Sequence, residues 1–333
     1  MPEIRQNIVT RDWVIIATER AKRPEEFVKR RQVKKELPEY RNDCPFCPGN
    51  EDKTPSEIYR IEQDKQWQIR VFPNKFAALT NDVAAERKRE GIKRVVSGFG
   101  VHEIVVETPK HNLTPALLKK DQIKNIIKTY KERYNAIYRD KRIKLVTIFK
   151  NHGESAGTSL EHPHSQIIGT PITPSDIRYR IEEAMRYYDD AGECVFCRVL
   201  REELKDDERI ILENKHFAAF IPYAALSAFH TWIFPKNHSS CFGLISVEEI
   251  EDLAEIFKGV LCKLYYGLGD PDYNYVIRSF SKLGPSLEYF HWYISIIPRI
   301  SKIAGFELGS GMFINTTLPE QSAKFLRDTR CPV

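Results

Sequence analysis

Each half of the chain carries two cysteines and two histidines in the same order. The eight residues are Cys44, Cys47, His111 and His162 in the first half and Cys194, Cys197, His238 and His291 in the second. Thiolate and imidazole are preferred ligands of zinc, and four of them form a closed tetrahedral site. We therefore predict two structural zinc sites, with buried free thiols as the alternative.

A further histidine, His164, predicts a different chemistry. It lies two residues after His162, and on an extended strand both side chains would project from the same face. A metal-anchored neighbour would then hold its imidazole in place. A neutral imidazole can attack phosphorus and divide one displacement into two easier ones. The matching residue of the second half is Tyr293, so a single nucleophile is expected on a duplicated scaffold.

The segment around His164 offers donors for phosphoryl oxygens, which a phosphoryl transfer must stabilise. These residues are Asn151, Ser155, Gly157, Ser159 and Gln166. Glycine at 157 would let backbone N–H groups approach a phosphate closely. An ordinary connection between two strands is the alternative interpretation.

The elements that would position these residues also occur twice. Each half predicts strands, one long helix and two more strands, and NKFAAL (74–79) matches HFAAFIP (216–222). The first long helix is expected over 115–139. The second is expected to begin at a capping box of Ser246 and Glu249 and to end near residue 268. We predict an α+β tandem duplication with domains 1–172 and 173–333. Each domain would carry one zinc site, and the first would also carry the HPH motif, residues 162–164.

Composition limits the class of protein. The 333 residues are 42% hydrophobic and 29% charged, which is typical of a globular chain. No membrane-spanning run or signal peptide is evident, so a cytoplasmic location is expected. A net charge of +5 suits a phosphorylated small ligand and does not favour nucleic acid. The seven cysteines indicate metal binding over a disulfide framework, with Cys241, Cys262 and Cys331 as buried or free thiols.

The motif N-x-G-x-x-x-G-x-S-x-x-H-P-H-x-Q, from Asn151 to Gln166, resembles the active-site signature of galactose-1-phosphate uridylyltransferases, a branch of the histidine triad superfamily. WVIIATERAKRP resembles the family's N-terminal segment, which implies that Arg20 and Arg23 contact substrate phosphates. VFPNKFAAL resembles the nucleotide-pocket strand. This implies that Asn74 lies beside the base, with Phe72 and Phe76 as apolar contacts.

The resemblance implies a fold of antiparallel half-barrel sheets with helices on one side, and a homodimer. It also implies ping-pong chemistry with UDP-glucose and hexose 1-phosphate as substrates. His164 would take the uridylyl group, while Gln166 and Ser159 hold the transferring phosphoryl oxygens.

Other features resemble the ADP-glucose phosphorylase-like branch, which uses ADP-glucose with phosphate. The segment GFELGSG (305–311) keeps Phe306 but lacks the lysine, tyrosine and glutamate of well-known transferases, and a complete second Cys/His set is present. Uridylyl transfer is our leading interpretation and adenylyl transfer the alternative. A non-catalytic binding protein stapled by zinc is a third interpretation.

Overall fold

The computed structural model describes residues 1–17, 37–280 and 287–332. The strands are β1 Glu3–Gln6, β2 Trp13–Ile16, β3 Tyr59–Gln63, β4 Gln66–Pro73, β5 Arg87–Glu90, β6 Lys93–Val96, β7 Val101–Val106, β8 Leu145–His152, β9 His164–Thr170, β10 Ile210–Glu213, β11 Phe217–Phe220, β12 Thr231–Pro235, β13 Tyr273–Arg278, β14 Tyr293–Pro298 and β15 Phe313–Asn315. The α-helices are α1 Lys120–Ile137, α2 Ser175–Ala191, α3 Val195–Asp206, α4 Val247–Leu268, α5 Gly305–Ser310 and α6 Pro319–Asp328. Within these ranges, no helix combines the length and apolar character that crossing a bilayer requires.

One antiparallel sheet contains ten of the described strands, in the order β10-β11-β12-β14-β13-β8-β9-β7-β4-β3. Read outward from the middle, both halves have the same pattern. Strands β8, β9, β7, β4 and β3 of the first half correspond to β13, β14, β12, β11 and β10 of the second. The halves join through β8 and β13, where Phe149 lies opposite Val276. The mixed α and β fold with internal duplication is thus confirmed, with the two half-sheets merged into one.

The register of the sheet corrects one detail of the predicted repeat. Matching NKFAAL to HFAAFIP would place Phe76 on Phe217. In the sheet, residues 74–79 instead form the turn after β4, whereas 217–220 is strand β11. Phe72 pairs with Ile104 in one half, and Phe220 pairs with Trp232 in the other. The two similar sequences therefore occupy positions of the sheet that are not equivalent, because strand pairing follows the alternation of buried and exposed faces rather than residue identity.

Side-chain alternation gives the sheet two different faces. Val105 packs into the large core under the helices, whereas its neighbours Ile104 and Val106 pack with Cys44 and Phe46 on the other face. Helices α1 and α4 contact each other and cover the first face. The side chains that carry the predicted chemistry lie on the opposite face, which leaves room for a ligand.

The two long helices begin as their flanking residues dictate. Helix α4 has the predicted capping box, in which the Ser246 hydroxyl accepts from the Glu249 N–H and the Glu249 carboxylate accepts from the Ser246 N–H. The helix expected from residue 115 begins later. A 3-10 turn spans Pro115–Leu117, and α1 starts at Lys120 because the backbone between them is extended.

A smaller sheet brings the two ends of the chain together. Strand β2 pairs antiparallel with β1 and parallel with β15. The Arg5 guanidinium donates to Glu320 at 2.8 Å and to the Tyr223 carbonyl at 3.1 Å. The first residues of the chain therefore pack on elements of the second half.

The cysteines without a predicted role need a correction. Cys262 in α4 and Cys331 after α6 form a disulfide, whereas buried or free thiols were expected for both. Their Cα atoms lie 6.0 Å apart because α6 packs on α4, a distance that a disulfide spans. Cys241 is buried, as predicted.

Candidate active site and metal clusters

The two predicted Cys/His sets are assembled in the structure. In each set, the four candidate ligand atoms lie within 4.8 Å of one another. The Cys47 Sγ atom is 3.5 Å from Nδ1 of His111 and 3.6 Å from Nδ1 of His162. In a tetrahedral zinc site the sulfur-to-nitrogen edge is about 3.6 Å. Both clusters can therefore hold a metal ion, and the chemistry of the donors fits zinc.

Hydrogen bonds to backbone carbonyls orient one candidate ligand imidazole in each cluster. The Nε2–H group of His162 donates to the Thr108 carbonyl at 2.8 Å, and that of His291 donates to the Pro235 carbonyl at 2.9 Å. With Nε2 protonated, the lone pair of each neutral ring is on Nδ1, which is the atom near the sulfurs. Such carbonyl partners fix the tautomer of metal-binding histidines. The two halves use the same arrangement.

His164 is held as a neutral imidazole with one nitrogen free. Its Nδ1 atom lies 2.8 Å from the His162 carbonyl oxygen, to which it donates, so the lone pair is on Nε2. Burial and the nearby Lys150 ammonium lower the pKa of His164 to about 4. Strand β9 begins at His164 rather than at His162. The backbone carbonyl of His162, rather than a shared strand face, therefore connects the Cys/His cluster to the His164 ring.

Two cavities of about 340 and 440 Å³ meet at His164, Ser159 and Leu160. Both volumes are typical of small-molecule sites. Asn151 lines the first cavity. The second is lined by the predicted residues Phe72, Asn74, Phe76 and Gln166. The structure thus places seven predicted catalytic or substrate-binding residues around a pair of adjoining cavities, with His164 at the junction.

The remaining predicted residues lie elsewhere. Ser155 and Gly157 are exposed in the loop before His164, and Gly157 has a positive φ of 84° that favours glycine. Their N–H groups are already used, donating to the Asp272 carboxylate and the Glu154 carbonyl, respectively. In this structure these two N–H groups therefore close the loop.

Phe306 lies in α5, is about half exposed and does not line either cavity. Arg20 and Arg23 lie outside the described residues.

His102 is a site residue that sequence reasoning missed. Its Nδ1 accepts the Ala78 N–H at 3.1 Å, so the proton of the neutral ring is on Nε2. That Nε2–H donates to Gln166 Oε1 at 2.7 Å, and the Asn74 amide lies 3.1 Å from the same nitrogen. His102 therefore holds Gln166 by a hydrogen bond and lies beside the Asn74 side chain. Its place on β7, two residues before Ile104 of the site wall, was the available signal.

The second half supports the loop that precedes His164 in the first half. The Asn274 amide on β13 donates to Asn151 Oδ1 at 2.8 Å and to the Ala156 carbonyl at 2.9 Å. A Cβ atom at Gly153 would collide with the Asp272 carboxylate, which explains the glycine. Residues more than 100 positions apart share these contacts, and no sequence motif signals them.

A buried polar network supports the backbone of His164 from the helix side. The Lys150 ammonium donates to Glu107 at 2.7 Å and to the His164 carbonyl at 2.8 Å. The hydroxyls of Tyr130 and Tyr275 donate to the other oxygen of Glu107. Burial raises the pKa of both tyrosines well above the ordinary value, so they remain donors. The network fixes the first residue of β9.

We expect Glu107→Gln to destabilise the fold by about 3–5 kcal/mol, because Lys150 would be left as an uncompensated buried charge. Denaturant unfolding of the metal-loaded protein measures the loss. Glu251→Gln is the matched control, since its partner Lys124 is near the surface and the pair is separated by 2.6 Å. Equal losses in both variants would contradict the proposed support of β9 by Glu107.

Comparison with known proteins identifies the class. A family model described as galactose-1-phosphate uridyl transferase, N-terminal domain, matches residues 1–174, and a domain of unknown function matches residues 106–329. The chain belongs to the galactose-1-phosphate uridylyltransferase family.

Individual relatives span nearly the whole chain. ADP-glucose phosphorylase of Arabidopsis thaliana is 35% identical, over 98% of this chain and 93% of its own length. Galactose-1-phosphate uridylyltransferase of Thermotoga maritima is 29% identical over the full length of both. The crystal structure of the Arabidopsis enzyme with bound ADP-glucose covers 99% of this chain and 100% of its own, at 32% identity and a TM-score of 0.84. A uridylyltransferase structure covers 99% and 98%, at 26% identity and a TM-score of 0.76.

Proposed function

We propose that this protein transfers a nucleotidyl group from a nucleoside-diphosphate hexose through a covalent histidine intermediate. The observation that carries the proposal is the position of His164, whose unprotonated Nε2 belongs to a ring at the junction of two cavities. A sugar nucleotide has its reactive phosphates between two bulky ends. One cavity for each end would place the α-phosphorus beside the nucleophile.

The first half-reaction forms a bond between Nε2 of His164 and the α-phosphorus. The bond from this phosphorus to the bridging oxygen breaks, and hexose 1-phosphate leaves with that oxygen. In the second half-reaction, an oxygen of the acceptor phosphate attacks the same phosphorus and releases the imidazole. His164 donates Nδ1–H to the His162 carbonyl in the structure, and this bond stabilises the ring as it acquires positive charge.

The other predicted residues receive the two ends of the substrate and the phosphates between them. Phe72 and Phe76 would contact the base, with Asn74 at its edge. Gln166, oriented by His102, and the Ser159 hydroxyl would donate to the transferring phosphoryl oxygens. Asn151, in the other cavity, would contact the hexose phosphate.

Residues outside these cavities complete the proposal. We assign phosphate contacts to Arg20 and Arg23. Ser155 and Gly157 would shape the loop rather than bind the phosphate through their N–H groups. Phe306 does not line the cavities of its own chain, so we assign it to the nucleotide pocket of a partner subunit in a homodimer.

Both metal clusters are proposed as structural zinc sites, because each offers a full set of two thiolates and two imidazoles. The ion would tie the Cys44–Cys47 turn to His111 and His162. A bound zinc supplies rigid ligand geometry here, while the reacting groups belong to the chain. We also propose two domains, 1–172 and 173–333, and a cytoplasmic location.

The leading substrate pair is UDP-glucose with a hexose 1-phosphate, in keeping with the several relatives named galactose-1-phosphate uridylyltransferase. ADP-glucose with inorganic phosphate is the second candidate. It is favoured by the 35% identity to ADP-glucose phosphorylase, by the GFELGSG segment and by the second Cys/His set. Both reactions would use the same nucleophile and differ in the base and the acceptor.

The intact mass of the protein after brief mixing with UDP-glucose or ADP-glucose, without acceptor, tests the proposal. We expect an added uridylyl group from UDP-glucose, since the lone pair of His164 is available at neutral pH. An adenylyl adduct from ADP-glucose alone would instead support the phosphorylase. No adduct from either substrate would contradict nucleotidyl transfer and favour a non-catalytic binding protein.

A further inference from the structure

The second half contains a pocket that is the internal counterpart of the catalytic one. Gln166 pairs with Ile104 on β7, and Ser295 pairs with Trp232 on β12. Two residues before these wall positions lie His102, on β7, and His230, directly before β12. His102 Nε2 lies 2.7 Å from Gln166, and His230 Nε2 lies 2.8 Å from Ser295 Oγ. The duplication has thus kept a histidine and its polar partner in both halves.

This second pocket is small and largely closed by the N-terminal segment. Asn7 and Thr10 line it together with Arg180, Arg278 and His230, and Tyr293 takes the place of the nucleophile. No carboxylate is among the described residues that line it. The pocket therefore lacks the reactive group and brings cationic side chains together instead.

Two guanidinium groups converge here without a direct acidic partner. Asp176 acts on Arg278 through the longer-range field, with no ion pair joining them in the part of the chain that the structure describes. Burial lowers the pKa of His230 to about 3, and the charges of Arg180 and Arg278 contribute to this shift. Arg180 and Arg278 are both partly buried, and bringing two like charges together without an acidic partner costs free energy, so the pocket favours a bound anion.

Further hydrogen-bond donors in the pocket lack acceptors. His230 Nε2 accepts from Trp232 Nε1 at 3.1 Å, which places the ring proton on Nδ1, and this buried atom has no partner. The buried Thr10 hydroxyl also has none. Asn7 Oδ1 accepts the N–H groups of Val9 and Thr10, which leaves the amide NH₂ as a donor. Buried polar groups are normally satisfied, so the orphan atoms point to a missing acceptor.

We propose that this pocket binds a tetrahedral inorganic oxyanion of the phosphate class, at a site separate from the catalytic cavities. Arg180 and Arg278 neutralise its charge, and arginine forks match tetrahedral oxyanions well. His230, Thr10 and Asn7 donate to its oxygens. The pocket is too small for a phosphate ester with its sugar. Because Asn7 and Thr10 form one wall, the anion fastens the N-terminal segment to the second half.

Thermal unfolding of the metal-loaded full chain in sodium phosphate, against chloride at equal ionic strength, tests the site. At a hundredfold excess over Kd, we expect phosphate to raise the unfolding midpoint by about 5 °C in the wild type. In Arg278→Met and in Arg180→Met the shift should fall, leaving only the part that phosphate gives by binding at the catalytic cavities. Glucose 1-phosphate, which fits only the catalytic cavities, should give the same shift in all three proteins. If one of the two arginine variants does not fold, the phosphate shift of the other tests the site.

An undiminished phosphate shift in the arginine variants would overturn the proposal, since the anion would then bind elsewhere. A crystal grown with selenate gives a second, independent measurement. Anomalous density between Arg180 and Arg278 is expected. A carboxylate of the chain at that position would also overturn the proposal, because the charges would already be paired.

Discussion

His164→Ala is expected to abolish the nucleotidyl adduct and to slow transfer by at least about 10⁴-fold. The physical reason is that the ring supplies the atom that bonds to phosphorus, and the donors around it have no nucleophile to assist once it is gone. Intact mass after mixing with the nucleotide sugar measures the adduct. Steady-state transfer to the acceptor measures the rate.

His216→Ala is the control for this variant. Its imidazole pairs with Asp252 at 2.7 Å on the helix side of the second half, away from both cavities. We expect its adduct to form at the wild-type rate. The metal content of His164→Ala should equal that of the wild type, because Nδ1 of His164 donates to a carbonyl and is not a ligand. Retention of the adduct in His164→Ala would contradict the assignment of the nucleophile.

His162→Ala is expected to release the metal of the first cluster and to disable transfer together with stability. Loss of a structural zinc site removes a large share of folding free energy, so the thermal midpoint should fall by roughly 10 °C or more. Transfer per folded molecule should fall by at least about 100-fold, because the metal-bound His162 side chain would fix the backbone carbonyl that orients the His164 ring. Elemental analysis of the purified protein measures the metal.

His291→Ala is the matched variant in the second half, since both residues are fully buried and donate Nε2–H to a carbonyl. It should also lose one metal ion and stability, whereas transfer per folded molecule should stay within about tenfold of the wild type. Equal loss of transfer in both variants would show that the first cluster has no special relation to His164. Equal metal loss in His162→Ala and His164→Ala would contradict the separate roles of these histidines.

The sequence alone determined the parts of this protein in which chemistry restricts the residue type. Structural zinc sites prefer thiolate and imidazole ligands, so the two Cys/His sets could be recognised from their repeated order in the sequence. The HPH motif marked His164 for a similar reason. The capping box of α4 and the repeated order of elements could also be predicted, because local hydrogen bonds and strand alternation depend on residues only a few positions apart in sequence.

The tertiary structure decided what depends on sheet register and on packing between distant elements. The contact of His102 with Gln166 exists because β7 pairs with β9 in one particular register, and a shift of β9 by one residue would turn Gln166 to the other face. The same holds for Asn274, which supports the catalytic loop from the second half.

The Cys262–Cys331 bond and the Arg180/Arg278 pocket also follow from which surfaces meet. The residue type determines which chemical interactions a side chain can make. The energy of burying and pairing it depends on neighbours that lie far away in sequence, and only the folded chain brings those neighbours together.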